Sequence, residues 1–116
     1  MCVTQNNRRY LWYQSVSYTH LPIIVRISAE ERVPGGNTLE DTLEYLGYLD
    51  EFVDMYDVSC GLNPSLQYQI DSNFLPDGWR SYMARAVKEK FGKPVINAGN
   101  YRDPEVCLLY TSKYIS

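Results

Sequence analysis

The chain has 116 residues, 45% of them apolar and 22% charged, with a formal net charge of −3 at pH 7. This is ordinary single-domain size and globular composition, and so small a negative charge argues against a nucleic-acid or membrane-surface partner. No apolar run approaches bilayer-spanning length, and three widely spaced cysteines form neither a disulfide framework nor a metal-ligand pair.

A reducing, cytoplasmic setting is therefore expected, the more so because Met1 to Arg9 leads into no long apolar core of a signal peptide. Residues 1–21 do not read like the rest, since neither helical nor strand periodicity holds for long. Ser15 to Leu21 is S-V-S-Y-T-H-L and Cys107 to Ser112 is C-L-L-Y-T-S. The DNA string CTGTCTCTTATACACATCT encodes V-S-Y-T-H-L in one frame and C-L-L-Y-T-S in the neighbouring one, and it resembles the transposon end used in sequencing-library preparation. Residues 1–21 are accordingly read as an artefactual or disordered flank with an adapter-like scar, and residues 107–116 as a second scar with an unrelated tail. This removes His20, Cys2 and Cys107 from any catalytic role and leaves residues 22–106 as the interpretable protein.

That window opens on a strand, Pro22–Ser28. Ile24, Arg26 and Ser28 fall on one side of it, and Ile23, Val25 and Ile27 on the other. A guanidinium is thereby planted among core residues. An unpartnered buried cation is costly and arginine does not shed its proton, so a carboxylate of the protein or an anionic ligand is expected at the end of this strand. A polar loop follows, broken by Pro34, Gly35 and Gly36. Asn37 or Thr38 then caps a helix, with Glu40 at capping-box spacing from Asn37. Leu39, Leu43, Leu46, Leu49, Phe52 and Val53 recur on one face of it.

Met55–Ser59 reads as a second strand, closed by Cys60 and Gly61. Cys60 reads as a small buried hydrophobe, because no histidine in the window is there to activate it as a nucleophile. A long loop over residues 62–77 leads to a second amphipathic helix, Gly78–Phe91, with Trp79, Met83, Ala86 and Val87 on its buried side. Gly92 stands in the left-handed stop position with Pro94 beyond it. Pro94–Asn97 is a third strand, and a further helix begins near Asp103 and Pro104.

This alternation predicts an α/β fold of parallel strands with right-handed crossovers, either a doubly wound sheet or part of a (β/α)₈ barrel. In both, ligands bind at the C-terminal edge of the strands. Arg26, Ser28, Ser59, Gly61 and Asn97 to Asn100 fall there. Asp57, Glu30 and Glu31 can be read as general acids, but exposed loop carboxylates are usually just solvated.

Val25-Arg26-Ile27-Ser28, the Val33-Pro34-Gly35-Gly36 turn, Val58-Ser59-Cys60-Gly61, Pro76-Asp77-Gly78, and Pro94 to Asn100 with Asp103-Pro104-Glu105 occur in an order and spacing that resembles the later half of an old yellow enzyme-type NADH:flavin oxidoreductase. The branch is that of 2,4-dienoyl-CoA reductase, trimethylamine dehydrogenase and the bile-acid-inducible enone reductases. The resemblance covers almost all of residues 22–106. It implies a partial TIM (β/α)₈ barrel that binds FMN, with about three β/α units present, the fifth to the seventh strands. It also implies an oxidoreductase in which NAD(P)H reduces FMN, and the flavin N5 then passes hydride to the activated C=C bond of a small enone or enoyl substrate.

Within this resemblance Arg26 matches the arginine at the flavin pyrimidine edge, near N1 and the C2 carbonyl, where a fixed cation stabilises the anionic reduced ring. Ala98, Gly99 and Asn100 match the segment at the flavin phosphate. Several relatives have arginine where Asn100 stands, so phosphate binding here would lean on backbone amides. Tyr68 and Phe74, in the loop over the active-site face, are candidates for touching substrate and equally for packing the loop down.

The family's proton donor and its substrate-holding His or Asn groups come from earlier strands, and the second phosphate segment follows the eighth. The iron–sulfur cysteines of the long members lie beyond the barrel. No catalytic residue and no metal ligand is therefore assigned, and the isolated chain is expected neither to bind FMN tightly nor to turn over NAD(P)H. Bare strand edges predict self-association in the absence of the missing barrel strands. Two alternatives stand beside this reading. One is another FMN barrel, of the 2-hydroxy-acid oxidase or dihydroorotate dehydrogenase type; the other is a small α/β interaction module with Arg26 paired internally.

Overall fold

The computed structural model describes residues 21–107; the expectations for residues 1–20 and 108–116 lie outside them. Three parallel strands, β1 (Ile24–Ser28), β2 (Met55–Ser59) and β3 (Val95–Asn97), form one sheet in the order β1-β2-β3. Arg26 lies opposite Asp57, Ser28 opposite Ser59, and Tyr56 opposite Val95. Helix α1 (Leu39–Leu49) connects β1 to β2. A short α2 (Leu66–Gln69) and then α3 (Ser81–Phe91) lie between β2 and β3. The α/β alternation and the parallel pairing are those expected from the order of apolar runs.

Helix α1 is started by Thr38, whose Oγ1 accepts from Asp41 N at 3.3 Å while Asp41 Oδ2 accepts from Thr38 N at 2.9 Å. The box is Thr38 with Asp41, not Asn37 with Glu40. Asn37 is already engaged, donating its backbone N–H to Glu31 Oε2 at 2.8 Å. At its other end α1 tightens into a 3₁₀ turn, Asp50–Phe52. Fewer residues per turn rotate the apolar stripe, so Val53 points inward and Leu49 is left 46% exposed. Helix α3 starts later than predicted because Gly78, at φ 65°, turns the chain just before it. It stops where expected, at Gly92 with φ 70°, whose N–H donates to Lys88 O at 2.9 Å.

The core lies between the sheet and the helices. Leu46 of α1, Tyr56 and Val58 of β2, and Met83 and Val87 of α3 are buried there, with Ala29, Val53 and Cys60. Thr42 is buried as well, and its hydroxyl donates to Ala29 O at 2.9 Å. Among the described residues the other sheet face carries no helix. Ile24 and Ile96 are exposed on it, in register with Met55 and Asp57 respectively. No helix among the described residues is long and apolar enough to cross a membrane.

Candidate functional site

Parallel pairing brings the C-terminal ends of β1, β2 and β3 to one edge of the sheet. The turns that leave those ends are cross-linked. Ser28 Oγ donates to Gly61 O at 2.9 Å, and Gly61 N donates to Glu30 O at 2.8 Å. Ser65 Oγ donates to Glu31 O at 2.7 Å. Gly61 is needed in this lattice on two counts: its φ is 87°, and a Cβ would stand 3.2 Å from both Gln69 N and Ser65 O.

Arg26 is not set among core residues, as the alternation predicted. Its side chain is 73% exposed on the helix-free face, and Nη1 lies 3.3 Å from Asp57 Oδ2. The alternation itself holds; what differs is that nothing among the described residues covers that face. The anionic partner expected for Arg26 is thus a carboxylate of the adjacent strand. The pair is open to solvent and contributes about 1 kcal/mol or less.

A second cluster follows β1. Arg32 Nε contacts Glu30 Oε2 at 2.7 Å, Arg32 Nη2 donates to Tyr82 Oη at 2.6 Å, and Tyr82 Oη donates to Glu30 Oε1 at 2.7 Å. The Arg32 guanidinium also lies 5.5 Å from the Tyr68 ring centroid and 5.7 Å from that of Trp79. Burial pushes the Cys60 thiol up in pKa against the opposing pull of Arg32. Cys60 is fully buried, and its Sγ donates to Glu30 O at 3.3 Å. A protonated, enclosed thiol is no nucleophile. Glu30, Glu31 and Asp57 each hold a partner of this chain, so none is a plain solvated carboxylate.

The segment Ala98 to Asn100 leaves β3 at the same edge. Gly99 has φ 113° and Asn100 φ 48°. Asn100 Nδ2 donates to Ser72 O at 3.2 Å and Leu75 O at 3.1 Å, and Asn100 O accepts from Gly78 N at 2.9 Å. Arg102 Nε reaches Asp77 Oδ1 at 2.6 Å. Ala98 is exposed, and beyond it Asp103 Oδ1 accepts from Glu105 N at 2.9 Å where residues 104–107 turn helical. The two aromatic candidates separate. Tyr68 packs against the core with its ring centroid 5.9 Å from that of Trp79, whereas Phe74 is 98% exposed.

Sequence reasoning missed Arg80, a cation in the turn before α3 that is 4% exposed. Its guanidinium forms an ion pair with Asp71, and Nε donates to Asp71 Oδ1 at 3.1 Å. Trp79 Nε1 donates to the same Oδ1 at 2.8 Å, and Arg80 Nη2 donates to Gln69 O at 3.2 Å. The apolar pattern placed Arg80 inside the predicted helix, beside Trp79, whereas the helix starts at Ser81. Nothing local shows that Asp71 folds back onto Arg80.

No protein-family model matches the chain. An NADH oxidase from Thermoanaerobacter brockii is 39% identical to it over 85 residues. That stretch is 72% of this chain and 13% of the oxidase, so the chain spans a small part of its relative's length.

Proposed function

We propose that residues 22–106 are a segment of an FMN-dependent NAD(P)H oxidoreductase, part of a (β/α)₈ barrel, acting on activated C=C bonds. The observation that carries this is the 39% identity to an NADH oxidase over 85 residues. The chain's own geometry is compatible with it in three respects. The strands are parallel, and among the described residues the helices lie on one face, as in a barrel wall whose other face is the interior. Ala98 to Asn100, matched to the cofactor site, leave β3 at the C-terminal edge, and Arg26 stands two residues before that edge in β1. Arg26, though paired with Asp57, keeps most of its side chain open, and a guanidinium has five N–H donors to offer.

The same pairing of Arg26 is what the interaction-module reading expects. A single 3.3 Å contact leaves donors over for a second acceptor, so the pair and a ligand are not exclusive. In this assignment Arg26 holds the pyrimidine edge of FMN and the Ala98 to Asn100 segment its phosphate. The space a Cβ would take at Gly99 is filled by Asp71 and Arg80, so the glycine is already required by the chain's own ion pair. The phosphate role rests on the matched segment instead. When bound, FMN supplies the hydride-transfer chemistry; Arg26 contributes fixed positive charge and orientation.

The test is to purify the longer protein that contains this segment and record its visible spectrum and its NAD(P)H oxidation with and without an enone. A yellow, FMN-loaded preparation is expected, and Arg26→Met should slow its reduction about a hundredfold, the typical effect of removing one preorganised charge-stabilising donor. A preparation that stays colourless after reconstitution with FMN, or an Arg26→Met variant reduced at the parental rate, would overturn the assignment.

A further inference from the structure

The buried ion pair of Asp71 and Arg80 does more than seal a loop. It packs directly on Gly99. A Cβ at that position would strike Asp71 Oδ2, and would lie 2.8 Å from Arg80 Nη2 and 2.9 Å from its Cζ. The carboxylate is held from three sides, by Arg80 Nε and Nη2 and by Trp79 Nε1, while Gln69 O fixes the outer nitrogen of the fork. Arg80 Cζ also lies 5.5 Å from the Trp79 ring centroid. Asp71 itself has a left-handed φ of 60°, a conformation uncommon outside glycine that aspartate tolerates better than most residues. On the far side of Gly99, the Asn100 amide ties the same loop through Ser72 O and Leu75 O. The turn after β3 therefore has its conformation set by a rigid, charged block that comes from before α3.

We propose that Asp71 and Arg80 are positioning residues for the Ala98 to Asn100 turn, and that they act on anion binding there through the backbone of Gly99, without touching the ligand. This rests on the assignment of that turn to the flavin phosphate. A bidentate, hydrogen-bonded arginine–carboxylate pair suits the task, because its fork geometry transmits orientation as well as charge. In this proposal, loss of the fork lets Gly99 shift, and an anion-binding turn depends on such support for its alignment.

The experiment compares FMN with riboflavin, which lacks the phosphate, in the intact flavoprotein carrying Asp71→Asn or Arg80→Lys. Parental protein should prefer FMN. Each variant is expected to lose about tenfold of that preference, the equivalent of roughly one charge-assisted hydrogen bond, with riboflavin affinity unchanged within about twofold. Equal losses for both flavins would mean a general structural role and overturn the proposal, as would an unchanged preference. If the parental protein itself binds both flavins alike, the phosphate assignment fails and takes the proposal with it, a result distinct from the other two. Should Asp71→Asn not fold, Arg80→Lys, which keeps the buried charge, carries the same comparison.

Discussion

Tyr56 is wholly buried, and its hydroxyl donates to Asp50 Oδ1 at 2.8 Å, where Lys93 also reaches at 3.0 Å. Burial acts to raise the pKa of Asp50, but the hydrogen bonds from Tyr56 and Lys93 and the Lys93 charge outweigh it and hold the carboxyl below its usual value. A depressed folded value means that this stabilisation is present above the unfolded value of about 4 and is lost as pH falls through the folded one. Tyr56→Phe should therefore cost about 1 kcal/mol near neutrality, with the deficit narrowing below about pH 4. Urea denaturation of both proteins across the acid range checks it; a deficit that stays constant there would show that Asp50 is not the partner that matters. Tyr82 behaves oppositely. Burial, then the hydrogen bond and charge of Glu30, push its phenol up to about 12. Its contribution is present below the unfolded value of about 10 and lost as pH climbs through the folded one. Tyr82→Phe should accordingly flatten the alkaline fall in stability, measured by the same method. The second partnership has no local signal, since Glu30 and Tyr82 stand far apart in sequence and meet only through the fold.

Two turns show what a sequence discloses about an element and what it withholds. Gly92 and Gly99 both have positive φ, at 70° and 113°. The first was readable, because a helix-period apolar pattern followed by glycine and then Pro94 is a stop signal with a local cause. A Cβ there would meet nothing within 4 Å, whereas at Gly99 it would meet Asp71 and Arg80. Gly92→Ala is thus expected to cost only the left-handed backbone penalty, about 1 kcal/mol. Gly99→Ala adds overpacking against a rigid buried pair and should cost about 3 kcal/mol or more. Equilibrium denaturation of the two variants separates them, and equal losses would mean that the ion pair yields freely. The three strands and their parallel pairing, both main helices and the C-terminal edge were visible in periodicity and punctuation. The capping partner of Thr38 and the buried Arg80 were not, because each is decided by a competitor from elsewhere: Glu31 occupying Asn37, and Asp71 folding back.

At the scale of the molecule, the sheet is one-sided among the described residues. Parallel sheets are found almost entirely with both faces covered, yet here Ile24 and Ile96 are 52% and 44% exposed on the face without helices. The outer edges of β1 and β3 pair with no strand among the described residues, so their backbone groups offer templates for another chain. In the barrel we propose, neighbouring strands take up both edges and the bare face becomes interior. Separated from them, the 116-residue chain should associate through these surfaces, and its sedimentation coefficient should rise with concentration. Changing both exposed isoleucines, Ile24→Lys with Ile96→Lys, should suppress that rise without disturbing the core, since neither belongs to the buried cluster around Tyr56 and Met83. The opposite outcome carries equal information. A chain that sediments as one monomer at every concentration and melts in a single cooperative step would satisfy its own surfaces, and that is the behaviour of a self-contained α/β module rather than of a barrel segment.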